Sequence, residues 1–181
     1  MIADARRARN ALVMLFYGSL LVMVDVRIGK VDLVPDVIGL VLVSFALVGL
    51  VPQVPDAEAV RWLRAATMVA VVTIPVSMLA DLDVPPHAFW RLTETALQLG
   101  GLVVTSIGME DLTRAAALPV SYATWRRVRW LAVAFVFVMV VAMPIAAVGG
   151  APVVVPTVLA LAIVVGGWFF VALWRTRAEI P

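Results

Sequence analysis

The chain has no cysteine, one histidine (His87) and one lysine (Lys30). Without cysteine there can be no disulfide, thiolate zinc site, iron–sulfur cluster or cysteine nucleophile. A single histidine excludes histidine-rich metal sites, so neither a metal nor a cofactor is expected. Ser19, Ser44, Ser77 and Ser106 have no histidine within helical spacing. There is no glycine-rich phosphate loop and no paired acidic motif of the intramembrane-transferase kind. Asp81 and Asp83 flank one leucine in a proline-containing segment, a pattern that reads as a solvated turn rather than a cation site. The chain is therefore not read as an enzyme. Its basic residues are scattered over separate short segments, which leaves no nucleic-acid footprint.

Charge is scarce as well. Only 14% of the 181 residues are charged and 64% are hydrophobic, against about 25% and about 45–50% in ordinary soluble domains. The apolar excess falls in six blocks, each near the roughly 17–25 residues that a helix needs to span hydrocarbon. A soluble core would leave too few polar residues to coat its surface. The expectation is a single all-α domain, a polytopic membrane protein with six transmembrane helices at about 10–26, 35–51, 62–80, 87–109, 128–148 and 153–174. Arg6, Arg7 and Arg9 before the first block resemble a signal peptide, but no small-residue cleavage site follows, so the block reads as an uncleaved helix. Pro75 falls in the last third of the third helix, where it should kink the backbone. The segment 110–127 reads as the longest polar connection, with a short interfacial helix before Pro119.

Even-numbered crossings place the N-terminus, the 52–61 and 110–127 connections and the C-terminus on one side. Eleven of the 14 basic residues lie at or beside those segments, and only Arg27, Lys30 and Arg91 lie on the other side. By the positive-inside rule both termini are expected in the cytoplasm. Trp62, Trp125, Trp130 and Trp174 near the inner ends, and Phe89 and Trp90 near an outer end, fit interfacial belts.

The outer side carries the first candidate site. Residues 25–39, DVRIGKVDLVPDVIG, form a charged turn between two nearly charge-free runs. With the start of the fourth helix they supply Asp25, Arg27, Lys30, Asp32, Asp36, Arg91 and Glu94 to one membrane face. Two readings stay open: a pocket for an ion or small polar ligand, or a solvated hairpin of weak ion pairs and a helix cap. Glu94 lies about two turns inside its helix, where a carboxylate facing the bundle needs a partner. Glu94, Gln98, Thr105 and Ser106 follow one another down the fourth helix; Glu94 and Gln98 share a face, to which Thr105 returns, so a polar stripe descends the helix. It reads either as a permeation wall or as interhelical hydrogen bonding. Small residues at Gly18 and Ser19 of the first helix, and at Gly39, Ser44, Ala46 and Gly49 of the second, should permit close helix approach. The segments 39–46, GLVLVSFA, and 101–108, GLVVTSIG, echo each other faintly, as duplicated hairpins would. The arrangement expected from these features places helices 1, 2 and 4 inside and the apolar helices 5 and 6 outside, facing lipid.

Asp32, Pro35, Asp36, Ile38, Gly39, Gly49 and Leu50 resemble a pattern of small uncharacterised bacterial multi-pass membrane proteins, in which a charged turn leads into Leu-Pro-Asp and a nearby Ile-Gly. Val34 stands where that pattern has leucine, and the resemblance covers only the first hairpin. It implies the bacterial plasma membrane and no activity. Two functions are carried forward. One is transport or ligand handling through an outward-facing polar site. The alternative is a non-catalytic accessory or structural subunit whose partners are the lipid bilayer and either a second copy or a larger membrane assembly.

Overall fold

A computed structural model describes residues 2–23, 27–28, 31–32, 36–81, 85–145 and 151–180. The fold is all-α, with six α-helices among the described residues: α1 (Ala5–Met23), α2 (Asp36–Leu50), α3 (Ala57–Asp81), α4 (His87–Ala115), α5 (Pro119–Ile145) and α6 (Ala151–Glu179). A two-residue antiparallel pair, β1 (Arg27–Ile28) with β2 (Val31–Asp32), sits between α1 and α2, with Arg27 opposite Asp32.

Local chemistry sets the helix ends. Asp4 Oδ1 accepts from the Arg7 backbone N–H at 3.0 Å, and Asp56 Oδ2 from Ala59 N–H at 2.9 Å. Each carboxylate thereby caps an orphan donor in the first turn of α1 or α3. α4 ends at Ala115 in a Schellman closure. Leu118 N–H donates to Thr113 O, Ala117 N–H donates to Arg114 O, and Ala117 adopts the left-handed region at φ 56°. Pro119 then opens α5, where its missing N–H costs nothing. The expected polar connection over 110–127 is thus corrected: Glu110–Ala115 continues α4, Pro119 onward is α5, and only three residues join them. Pro75 does lie inside α3 and Pro156 inside α6.

Each helix packs on its chain neighbours, and α6 returns to α1 to close a ring. Phe16 of α1 meets Phe170 of α6 edge-to-face at 5.0 Å. Arg6, Arg9 and Asn10 line one hollow with Arg177, so the two ends of the chain meet at one end of the bundle. That half holds a solid core of Leu12, Leu47, Leu63, Met109, Trp125 and Leu173. The expected inner layer of helices 1, 2 and 4 is not found, because α3 stands between α2 and α4. Helices α5 and α6 are not an outer hairpin either: Trp125, Val128, Phe169 and Leu173 are core residues. Uniform apolar sequence suits a packed interior and lipid equally, so composition could not separate the two.

The outward faces are apolar. Phe45, Met68, Phe137 and Ile163, on four different helices, are 64–70% exposed. Among the described residues three stretches are long and apolar enough to cross a membrane, Asp36–Gln53, Ala57–Ala80 and Val154–Glu179. The remaining helices carry charge within their length, such as Arg6, Arg7 and Arg9 in α1 and Arg126, Arg127 and Arg129 in α5.

Candidate functional site

The ring is filled at the terminal end and hollow further in. A cavity of about 320 Å³ lies between the helices, and all six contribute to its wall. Most of the lining is apolar, including Leu40, Val69, Leu102, Phe135, Val165 and Phe169. Four polar side chains interrupt it: Ser19, Thr73, Gln98 and Thr105. Thr73 Oγ1 donates to the Val69 carbonyl of its own helix at 2.7 Å, so its hydroxyl hydrogen is already committed. Gln98 is steadied from the turn above, where its Nε2 donates to Glu94 Oε1 at 3.4 Å. That bond uses the amide nitrogen and leaves the Gln98 carbonyl oxygen as an acceptor. A wall of this kind suits a largely apolar molecule with one hydrogen-bonding end.

The expected outer charge cluster is distributed as follows. Asp25 and Lys30 lie outside the described residues. Arg27 and Asp32 are register partners in the hairpin. Asp36 opens α2 at its first turn, half-buried. Arg91 is exposed, and Glu94 is half-buried one turn above Gln98. Asp36 sits on α2 and Arg91 and Glu94 on α4, helices that are not packing neighbours. The polar stripe of α4 divides: Gln98 and Thr105 face the cavity, whereas Ser106 Oγ donates to Leu102 O within its own helix at 2.7 Å. Among the described residues no group of three or more His, Cys, Asp or Glu side chains is placed to hold a metal ion.

A second polar layer, missed by the sequence reading, sits at the terminal end. Glu110 and Asp111 are buried near the end of α4, only 5% and 9% exposed. Arg129 Nη1 of α5 lies 2.9 Å from Glu110 Oε2, an ion pair whose alignment falls outside hydrogen-bond geometry. Arg114 Nη2 lies 2.9 Å from Asp111 Oδ1 and 3.7 Å from Glu58 Oε2 of α3. Burial pushes both carboxyls above their ordinary range, Arg129 opposing this at Glu110 and Arg114 at Asp111. The adjacent acids Glu110–Asp111, followed by Arg114 at helical spacing, were the available signal. Nearby, Trp125 Nε1 donates to Thr176 Oγ1 at 2.8 Å, tying α5 to α6. The layer thus pairs each buried acid with an arginine, Glu110 with Arg129 and Asp111 with Arg114.

Comparison with family models, with curated proteins and with solved structures finds no match to this chain.

Proposed function

We propose that the chain is a small integral membrane protein that handles a small amphipathic molecule, held in the cavity between its helices. The apolar body of the ligand lies among Phe135, Val165, Phe169 and Leu102, and its polar end meets Gln98. The observation that carries this reading is a lining drawn from all six helices and apolar but for Ser19, Thr73, Gln98 and Thr105. Glu94 and Arg91 lie one and two turns above Gln98 on α4, which extends the polar end of the site toward the expected outer face. In this reading all six helices span the plasma membrane of a bacterium and both termini are cytoplasmic. The three qualifying helices, the exposed apolar faces and the arginine-rich terminal end support it. Of the outer charges expected from the sequence, Glu94 reaches this pocket through its bond with Gln98.

The test uses the detergent-purified chain and the fluorescent apolar probe N-phenyl-1-naphthylamine. Saturable binding is expected, and Ala70→Phe and Ala162→Phe, which put bulk into the lining, should each weaken it at least tenfold while helical content stays constant. Binding that is absent, or indifferent to both substitutions, overturns the reading. If a membrane partner then co-purifies, the accessory-subunit alternative takes its place.

A further inference from the structure

A hollow of about 760 Å³ lies on the outside of the ring where α5 meets α6, and it shares no residue with the cavity lining. Its walls are Tyr122, Ala123, Arg126, Arg127, Trp130 and Leu131 of α5 with Trp168 of α6. Helical spacing explains the grouping: Tyr122 and Arg126 are four apart, as are Ala123 and Arg127 and then Arg127 and Leu131. Ala123 is the small residue that leaves room between the long ones. We propose that this hollow binds the headgroup of an anionic phospholipid.

Charge is the first argument. The lining holds two guanidinium groups and no acid. Carboxylates at this end of α5 have partners of their own, Asp111 pairing with Arg114 at 2.9 Å. Glu110 pairs with Arg129 at 2.9 Å, although it also feels Arg126. Glu179 accepts the backbone N–H groups of Val120 and Ser121 at 3.2 and 2.8 Å. Arg126 and Arg127 are both exposed, so they can turn to a phosphate without breaking a core contact.

Polarity along the groove is the second. Tyr122 and the two arginines lie nearer the start of α5, and Trp130 and Leu131 follow about one turn further in. A lipid presents its phosphate outermost and its apolar part further in, and indole favours the boundary between them. Trp130 is held for this role: the Arg129 guanidinium lies 5.2 Å from its ring centroid, yet the side chain stays 59% exposed. This inference rests on the membrane reading above but not on a ligand in the cavity.

The experiment is native mass spectrometry of the full chain in non-ionic detergent, titrated in parallel with dioleoyl-phosphatidylglycerol, dioleoyl-phosphatidylcholine and inorganic phosphate. Phosphatidylglycerol should bind at least tenfold more tightly than phosphatidylcholine. Each guanidinium near the headgroup should be worth about fivefold, so R126Q/R127Q together should cost roughly thirtyfold. R126K/R127K should keep most of the preference, and R6Q/R9Q, at the other hollow of this end, should leave it intact. Equal binding of the two lipids, or a preference that survives R126Q/R127Q, overturns the proposal. Phosphate competing with phosphatidylglycerol at equal concentration also overturns it, in favour of a soluble phosphate ligand. Because the cavity probe reports separately, its failure with the lipid preference intact would strike the cavity reading alone.

Discussion

Gly18 and Gly39 meet backbone to backbone where α1 crosses α2. A methyl group built on Gly39 would lie 2.7 Å from the Gly18 carbonyl oxygen, and one built on Gly18 would lie 2.9 Å from the Gly39 oxygen. Both distances are well inside van der Waals contact, and the obstacle is backbone, which cannot swing aside. Close approach of this kind is how helices gain packing where no hydrophobic drive separates them from lipid. Gly39→Ala should therefore destabilise by about 1–3 kcal/mol, the usual cost of overpacking, despite alanine's better helix propensity. Gly167 of α6 supplies the control, because a methyl group added there would meet nothing within 4 Å. Gly167→Ala should stabilise by about 0.5–1 kcal/mol. Thermal unfolding in detergent checks both signs, and a stable Gly39→Ala would mean the helices do not cross here.

Glu179 closes the bundle at its terminal end. Its carboxylate, on the last residue of α6, accepts two of the orphan N–H groups that open α5. Replacing Glu179 with Ala should cost about 1–2 kcal/mol, as loss of a charged helix cap does. Glu179→Gln should recover part of it, since one amide oxygen can still accept. Hydrogen exchange at Val120 and Ser121 is the local readout, and unchanged protection there in Glu179→Ala would count against the cap.

Glu110 and Asp111 give the pH dependence its sign. Burial raises both carboxyls above their ordinary values of 4.5 and 3.8. A group whose folded pKa is raised contributes stability that is complete below its unfolded pKa and is lost as pH rises through the folded one. The midpoint of unfolding should accordingly rise as pH falls from about 7 toward the ordinary carboxyl range. Glu110→Gln should flatten that slope while leaving an oxygen for Arg129. A wild-type midpoint that falls over this interval in parallel with the variant's would refute the assignment.

Hydropathy blocks revealed the six helices, and helical spacing revealed the stripe that places Gln98 and Thr105 in the cavity wall. Two features escaped for identifiable reasons. Glu110, Asp111 and Arg114 read as a polar connection with a short interfacial helix of its own because charge usually marks the end of an apolar helix, yet here each acid has an arginine at 2.9 Å and α4 runs on through them. The ring order escaped because Phe135, Val165 and Phe169 have the same apolar character whether they face lipid or one another. Their burial and their place in the cavity wall show that they turn inward. The charged turn was legible as a hairpin, with Arg27 opposite Asp32, but its charges do not by themselves define a pocket.

The central claim is that the space between the helices is a ligand site, and a chain without native cysteine lets it be tested with single thiols. Ser19→Cys and Thr105→Cys place a thiol on the cavity wall, and Met109→Cys places one in the solid core below, where the native side chain is fully buried. The measurement is the rate of labelling by a small apolar maleimide, with and without saturating N-phenyl-1-naphthylamine. The cavity account predicts that the first two label readily, that the probe slows both at least tenfold, and that the third stays unreactive in either condition. Wall thiols that label no faster than Met109→Cys, or at a rate the probe does not change, would contradict it.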